Sequence, residues 1–174
     1  MNKRNLVLVG FMGTGKTTIG QRLAKQTGMP LVDMDSMIET RAGKAISQIF
    51  TDDGEAHFRS QERAIVRELA AKSGQIISTG GGVVLNPDNI SDYEKNGLVI
   101  CLLASPETIL QRICQDDSRP LLTGDKQDKI YQILKDRRPL YEAFEHKINT
   151  DELEPQAIAA QIIALYETNL DIDT

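Results

Sequence analysis

A glycine-rich run near the start of the chain could bind phosphate. Its sequence, Gly10-Phe11-Met12-Gly13-Thr14-Gly15-Lys16-Thr17, lies between four apolar residues (6–9) and a helical pattern. Glycines let the backbone point successive N–H groups into one concavity, and the helix that follows adds the positive end of its dipole. In such a loop the lysine reaches the β- and γ-phosphates of a nucleoside triphosphate, and the next hydroxyl binds Mg2+. A chance glycine turn before a helix is the alternative, but this pattern arises by chance in well under about one chain in a hundred.

Two aspartates follow the second apolar run of the chain. Asp33 and Asp35 are two residues apart, and in an extended chain that spacing places both side chains on the same face. One carboxylate could support Mg2+ through water, while the other could accept a proton from an attacking hydroxyl. A solvated turn is the alternative interpretation.

An arginine in a polar, aperiodic stretch is a candidate for phosphate contact. Arg119 lies in Ser118-Arg119-Pro120-Leu121-Leu122, within a stretch (115–127) that predicts a loop able to close as a lid. Phosphoryl transfer depends on positioning and on cations near the transferred group, and a closing lid excludes water. An exposed solubilising charge is the alternative for Arg119, although the flanking Pro-Leu-Leu favours a segment that docks.

Further signals for an anionic acceptor are dispersed along the chain. Arg59 precedes Glu62 by three residues on a predicted helix, a spacing that alone would indicate a weak surface salt bridge. Gly80-Gly81-Gly82 follows a predicted strand and indicates close approach of a ligand or of backbone donors. Two adjacent arginines, Arg137 and Arg138, precede Pro139-Leu140-Tyr141. Together the arginines suggest that a carboxylate is bound in two places by planar guanidinium groups.

The elements that must position these residues alternate along the chain. Short apolar runs predict strands at 6–9, 30–33, 75–79, 98–103 and 147–149. Longer periodic segments predict helices at 17–27, 36–42, 47–50, 55–73, 89–95, 106–114, 125–144 with an interruption near Pro139, and 154–168. Such alternation predicts an α/β domain with a parallel sheet and helices on both faces, which binds ligands at the C-terminal ends of its strands.

Composition limits the classes of partner. The 174 residues suit one domain (1–174), and the formal net charge of −5 with no basic block argues against nucleic acid or an anionic membrane as a partner. Cys101 and Cys114 are too few for a disulfide framework, and Cys101 lies in an apolar run typical of a small buried residue. No apolar run approaches a signal peptide or a membrane span, so the expected location is the cytoplasm.

Proteins with such a phosphate loop include switches, motors and small-molecule kinases. A GTPase switch would need Asn-Lys-x-Asp, but the nearest segment, Asn149-Thr150-Asp151, lacks the lysine. Motor ATPases are usually longer and carry paired acids after a central strand, whereas the acids here follow the second strand. The sequence therefore favours a compact kinase with a lid; a nucleotide-binding protein without transferase activity is a further alternative.

The chain resembles the shikimate kinase family over about residues 1–166. The phosphate loop alone would not separate that family from gluconate or adenylate kinases, but several motifs occur in the right order. They are Gly10-Phe11-Met12-Gly13-x-Gly15-Lys16-Thr17-Thr18-Ile19-Gly20, Asp33-x-Asp35, Phe58-Arg59-x-x-Glu62, Gly80-Gly81-Gly82, Arg119-Pro120-Leu121-Leu122 and Arg137-x-Pro139-Leu140-Tyr141.

The resemblance implies a fold and a reaction. The fold is a five-stranded parallel sheet of the P-loop, nucleoside-monophosphate-kinase-like type, with a substrate-binding segment near 33–61 and a lid near 115–126. The reaction is ATP plus shikimate giving ADP and shikimate 3-phosphate, a step toward chorismate and the aromatic amino acids, in a cytoplasmic monomer that uses Mg2+. Another small-metabolite kinase of this fold, such as a gluconate kinase, is the main alternative.

The resemblance also implies a role for each matching residue. Lys16, Asp35 and Arg119 are expected to be catalytic, and Thr17 and, through water, Asp33 to hold the metal. The residues expected to bind shikimate are Asp35, Arg59, Gly81 and Arg137. The residues expected to bind ATP are Gly13, Thr14, Gly15, Lys16, Thr17, Thr18, Arg112 and Arg119, with further adenine contacts near Pro155.

Overall fold

Five parallel strands form one sheet in the order β2-β3-β1-β4-β5. The computed structural model describes residues 4–114 and 125–171. The strands are β1 (Asn5–Val9), β2 (Leu31–Asp33), β3 (Ile76–Ser78), β4 (Gly97–Leu103) and β5 (Lys147–Asn149). The helices are α1 (Lys16–Thr27), α2 (Met34–Ala42), α3 (Ile46–Asp52), α4 (Gly54–Ala70), α5 (Pro87–Glu94), α6 (Pro106–Cys114), α7 (Asp125–Glu142) and α8 (Pro155–Asp171), with a 3-10 turn at Val83–Leu85. Within these ranges no helix is long and apolar enough to cross a membrane.

The central strand β1 is buried on both faces. Leu6 and Leu8 belong to a core layer shared with α1 and α8, whereas Val7 and Val9 belong to a second layer shared with α4 and α5. This division follows from the two-residue period of a strand, because successive side chains enter opposite faces of the sheet. Cys101 of β4 is completely buried in the second layer, as the sequence predicts. The predicted parallel sheet with helices on both faces is confirmed.

The strand register brings three chain segments to one edge of the sheet. Asp33 of β2 pairs with Ser78 of β3, and Ser78 pairs with Leu8 of β1. Because these strands are parallel and in step, the segments that follow them begin side by side. These segments are the glycine-rich loop (10–15), the first turn of α2 and the glycine triplet (80–82).

The local structure differs from the prediction at Asp35. Extended chain ends at Asp33, whose carboxylate caps α2 by accepting a hydrogen bond from the Ser36 backbone N–H at 3.1 Å. Asp35 therefore lies in the first helical turn instead of on a strand. An aspartate at the N-cap satisfies one of the free N–H groups of the helix, so capping outweighs continuation of the strand.

The predicted interruption near Pro139 is also wrong. Helix α7 continues through Pro139 to Glu142, and the Ala143 N–H donates to the Pro139 carbonyl at 3.2 Å. Proline in a helix removes one hydrogen bond and costs roughly 3 kcal/mol. Burial of Tyr141, which is 2% exposed, anchors the last turn and offsets that cost.

Candidate active site

A cavity of about 1020 Å³ opens at the edge of the sheet where the strands end. Among the described residues, every site residue predicted from the sequence lines this cavity except Thr14, which is buried in the loop itself. Those lining it are Gly13, Gly15, Lys16, Thr17, Thr18, Asp33, Asp35, Arg59, Gly81, Arg112 and Arg137. Arg119 and residues 115–124 of the predicted lid lie outside the described residues, and 125–126 begin α7.

The glycine-rich loop has the backbone conformation that its sequence predicts. Gly13 and Gly15 have φ angles of 78° and 93°, in the left-handed region that favours glycine. Gly15 is the N-cap of α1, so the helix begins directly at Lys16. Inside the loop the Thr14 hydroxyl donates to the Phe11 carbonyl at 2.8 Å and holds the turn closed. The result is a helix N-terminus preceded by a tight glycine turn, the arrangement that binds phosphate in proteins.

The Lys16 ammonium is held by the loop that precedes it. Its Nζ donates to the carbonyl oxygens of Gly10 at 2.8 Å and Phe11 at 3.0 Å, and the residue is 9% exposed. The positive charge therefore lies within the loop before any anion binds. A bound phosphate would meet this charge together with the backbone N–H groups of the loop.

A hydroxyl and a carboxylate lie together beside the loop. The Thr17 hydroxyl donates to Asp33 Oδ2 at 3.1 Å, and its oxygen is 3.4 Å from Ser78 Oγ. Mg2+ prefers oxygen ligands and is usually held by one or two protein groups together with phosphate oxygens. This set of oxygens beside a phosphate-binding loop fits such an ion.

Arg59 is held by two acidic residues of its own helix, α4. Its Nη1 donates to Glu62 Oε2 at 2.9 Å, and its Nε and Nη2 donate to Glu55 Oε1, each at 3.2 Å. The guanidinium carbon also lies 5.1 Å from the centre of the Phe58 ring. The pair with Glu62 is not the weak surface salt bridge that its spacing suggested, because the Glu62 side chain is only 3% exposed. Arg59 is therefore fixed in one direction along the cavity wall.

Glu62 is a buried carboxylate surrounded by charged groups. Burial raises its pKa above the ordinary glutamate value, while hydrogen bonding to Arg59 and attraction to Arg59 and Arg137 oppose that rise; repulsion from Asp35 adds to it. These interactions join α4, α2 and α7 at one point of the cavity. Glu62 thus balances the charge of arginines that would otherwise repel each other.

The glycine triplet approaches both the loop and the charged residues closely. A Cβ atom at Gly80 would lie 2.8 Å from Asp35 Oδ1, and one at Gly82 would lie 2.6 Å from Arg59 Nη2. A Cβ atom at Gly81 would lie 3.3 Å from the Met12 backbone nitrogen. A side chain at Gly80 or Gly82 would therefore displace the charged group beside it, and one at Gly81 would press on the glycine-rich loop.

Arg112 of α6 joins the glycine-rich loop to the end of β5. Its Nη1 donates to the Gly13 carbonyl at 3.2 Å and to Thr150 Oγ1 at 2.9 Å, and its Nη2 donates to the Thr150 carbonyl at 2.6 Å. Pro155 begins α8 a few residues later. Arg112 is thus positioned beside the loop while most of its donors are used by the protein.

Several residues of the cavity were not predicted as site residues. Glu62 and Phe58 were identified only as parts of one motif, and Ser78 only as part of a strand. The cavity also includes Phe50, whose ring centre lies 4.7 Å from that of Phe58. The position of Ser78 at the end of a predicted strand, two residues before the glycine triplet, could have revealed it. Phe50 had no comparable signal, because its contact with Phe58 joins α3 to α4 across a turn.

A family model and individual relatives of known function match this chain and point to the same family. The family model described as shikimate kinase matches residues 12–167. A shikimate kinase of Pelotomaculum thermopropionicum is 45% identical over 168 residues, which cover 95% of this chain and 98% of that protein. A shikimate kinase of Thermodesulfovibrio yellowstonii is 42% identical over 165 residues, covering 94% and 95%.

The structural comparison agrees. Shikimate kinase from Acinetobacter baumannii, solved in complex with shikimate, superposes with a TM-score of 0.86 at 36% sequence identity. The match covers 96% of this chain and 94% of the other. The similarity therefore extends over the whole domain and not only over the phosphate-binding loop.

The burial of Glu62 predicts a pH-dependent difference in stability. Because its pKa is raised in the folded chain, the folded state holds the proton more tightly than the unfolded state, and the free energy of unfolding falls as pH rises above about 4.5. Glu62→Gln removes this titration, so the stability of the variant relative to the native chain should increase as pH rises through the raised pKa. Urea unfolding at a series of pH values measures it.

Glu55→Gln is the matched control. Glu55 contacts the same arginine, but its side chain is 62% exposed. We expect relative stability to rise less with pH in this variant than in Glu62→Gln, because folding removes only the Glu62 carboxylate from water. Equal pH dependence of the two variants would contradict the assignment of the effect to burial of Glu62.

Proposed function

The chain belongs to the shikimate kinase family, and on that basis we propose that it transfers the terminal phosphoryl group of ATP to the 3-hydroxyl of shikimate. The products are ADP and shikimate 3-phosphate, on the route to chorismate and the aromatic amino acids. The observation that carries the proposal is that the phosphate-binding loop shares one cavity with Asp35, Arg59 and Arg137. A switch would have no use for such an acceptor pocket.

On the donor side, the glycine-rich loop binds the phosphates of ATP. Backbone N–H groups of residues 13–18 surround the phosphates, and Lys16 neutralises charge on the β- and γ-groups. Arg112 lies beside the loop, and the family resemblance assigns it to the adenine side. Arg119, in the segment proposed as a lid (115–126), supplies a further cation to the transferred group and closes the site against water.

On the acceptor side, Arg59 and Arg137 bind the carboxylate of shikimate. They lie on different helices, α4 and α7, and line the same cavity. Two guanidinium groups can each present paired N–H donors to a carboxylate, which fixes the ring of the substrate as well as its charge. Gly81 contributes a backbone contact, and the segment 33–61 forms the substrate-binding part of the domain.

Asp35 orients the reacting hydroxyl. The 3-hydroxyl oxygen forms a bond to the γ-phosphorus while the bond from that phosphorus to the β–γ bridging oxygen breaks, and ADP leaves with the electron pair. The hydroxyl proton passes to the Asp35 carboxylate as the new bond forms. Lys16 and Arg119 stabilise the charge that develops on the transferred group.

Thr17 and Asp33 would hold Mg2+ with the phosphates. Their oxygens, 3.1 Å apart, are of the type that this ion prefers. When bound, the ion would withdraw negative charge from the phosphates and so favour transfer of the terminal group.

The remaining properties are expected from the family and the composition. The whole chain (1–174) acts as a single domain and a monomer in the cytoplasm, without nucleic acid or membrane as a partner. The net charge of −5 agrees with this, since a nucleic-acid or membrane surface would require clustered cations.

The proposal is tested by measuring ADP release with candidate acceptors. We expect saturable turnover with shikimate, dependent on ATP and Mg2+, and none above background with gluconate. Saturation by gluconate without turnover of shikimate would overturn the proposal and assign the chain to another acceptor. Hydrolysis of ATP that no acceptor stimulates would exclude a transferase.

Removal of Arg137 should weaken shikimate binding selectively. Loss of one partner of a buried charged contact costs about 2–5 kcal/mol, so Arg137→Ala should raise the KM for shikimate at least about 30-fold. Steady-state kinetics at saturating ATP measures the change.

The neighbouring arginine provides the control. Arg138 has a side chain that is 70% exposed and pairs with Glu142. Arg138→Ala should leave the KM for shikimate nearly unchanged. If the two variants have the same KM, the carboxylate is bound by a different residue.

Removal of Lys16 should abolish transfer. Lys16→Met deletes the cation on the phosphates, and loss of one such electrostatic contact lowers kcat by about 10²–10³-fold. Lys25→Met, an exposed lysine on the same helix, should retain full turnover. Circular dichroism checks that both variants fold; native turnover in Lys16→Met would refute its role.

A further inference from the structure

Tyr141 is a buried residue near the active site to which the proposed reaction gives no task. It lies on α7, one helical turn after Arg137, and is 2% exposed. Residues four apart lie on the same face of a helix, so Tyr141 and Arg137 lie on the face that approaches the cavity. Its hydroxyl is therefore close enough to the site to act on the segments that form it.

The Tyr141 hydroxyl holds the middle of the glycine triplet. It donates a hydrogen bond of 2.6 Å to the Gly81 carbonyl oxygen. The carbonyls of Gly80 and Gly82 accept from the N–H groups of Val83 and Leu85, three residues further along, at 3.2 and 3.0 Å. The Gly81 carbonyl is thus tied to a separate element of the fold, while its neighbours are tied to the adjacent 3-10 turn.

The ring of Tyr141 contacts the phosphate-binding loop. It meets the ring of Phe11 edge to face, with centres 6.3 Å apart and planes at 78°. Phe11 precedes Met12, whose backbone nitrogen is the atom that a Cβ at Gly81 would approach most closely. The ring of Tyr141 therefore contacts the glycine-rich loop, and its hydroxyl is hydrogen-bonded to the glycine triplet.

The hydroxyl remains a donor at every physiological pH. Burial raises the pKa of Tyr141 to about 12, although the charge and hydrogen bonding of Arg137 oppose this rise. A neutral phenol can donate to a carbonyl oxygen, whereas a phenolate cannot.

Three consecutive glycines need such a restraint. Glycine has no Cβ and populates many backbone conformations, so an unrestrained triplet could rotate its peptide planes. Fixing the Gly81 carbonyl also fixes the Gly82 N–H, because both belong to one planar trans peptide and point in opposite directions. It thereby holds Gly82 against the guanidinium of Arg59, with which it is in close contact.

We propose that Tyr141 is a positioning residue that fixes the Gly81–Gly82 peptide and so keeps the shikimate pocket formed against the phosphate-binding loop. This inference rests on the proposed function. It assigns Tyr141 no contact with substrate; it acts through Gly81, Gly82 and Arg59, and also through Arg137, to which its hydroxyl is hydrogen-bonded. Its removal lowers the fraction of molecules in which the pocket is formed, and the apparent affinity for shikimate falls by that fraction.

The test compares two tyrosine-to-phenylalanine variants. Tyr141→Phe keeps the ring and removes only the hydroxyl. Tyr166→Phe is the control, because Tyr166 is also buried and also donates to a backbone carbonyl at 2.6 Å, that of Arg4, but lies in the core layer with α1 and α8. We expect Tyr141→Phe to raise both the KM and the calorimetric Kd for shikimate by about 3- to 10-fold, the usual net effect of one hydrogen bond.

The other readouts separate positioning from general stability. The KM for ATP should stay within about two-fold in both variants, and the KM for shikimate should not change in Tyr166→Phe. Amide hydrogen exchange over residues 79–85 should be faster in Tyr141→Phe than in the native chain and unchanged in Tyr166→Phe. Thermal melting checks that both variants are folded at the temperature of the binding and exchange measurements.

Three results would overturn the inference. These are an unchanged affinity for shikimate in Tyr141→Phe, an equal loss in both variants, and an equal loss for ATP and shikimate. A native chain that does not turn over shikimate would instead remove the proposed function. In that case, hydrogen exchange still decides whether Tyr141 fixes the glycine triplet.

Discussion

The contact between two glycine segments is the constraint on which the active site depends. The parallel register of β3 beside β1 starts both segments at the same edge, and Gly81 then approaches the backbone of Met12 so closely that a Cβ atom would lie 3.3 Å from its nitrogen. A phosphoryl group on one loop can reach a hydroxyl beside the other only if no side chain separates them. The short distance between donor and acceptor thus follows from the sheet topology together with the absence of side chains at this contact.

Charge balance is the second condition for this arrangement. Arg59 and Arg137 line one pocket, and their positive charges repel each other when no carboxylate is bound. The buried carboxylate of Glu62 reduces that repulsion. Burial raises the pKa of Glu62 while Arg59 and Arg137 oppose the rise, so the carboxylate and the guanidinium groups stabilise each other's charge. Arg59 donates to Glu55 as well as to Glu62, and these two partners hold its guanidinium group along the cavity wall.

The sequence predicted the elements of this site better than their connections. Apolar runs and glycine stops predicted the sheet, and the phosphate-binding loop was recognisable because its glycines, Lys16 and Thr17 are adjacent in the chain. Asp35 was expected on extended chain. At this point the strand can continue or Asp33 can cap a helix, and residue spacing does not decide between these two local structures. Pro139 was expected to interrupt α7 because the compensating burial of Tyr141 is a tertiary effect. The contacts that could not be predicted are those that cross between elements: the bond from Tyr141 to Gly81 spans 60 residues of sequence, and local spacing does not reveal its acceptor.

Helix α7 carries two residues that bear on the active site, Arg137 and Tyr141. Arg137 lines the cavity and is the residue proposed to bind the carboxylate of shikimate, while Tyr141, one turn later, donates to the Gly81 carbonyl. Both residues are carried by the helix that follows the segment containing Arg119. A displacement of α7 along its axis would therefore move Arg137 and the glycine triplet together, so the proposed carboxylate contact and the Gly81–Gly82 peptide both depend on the position of this helix.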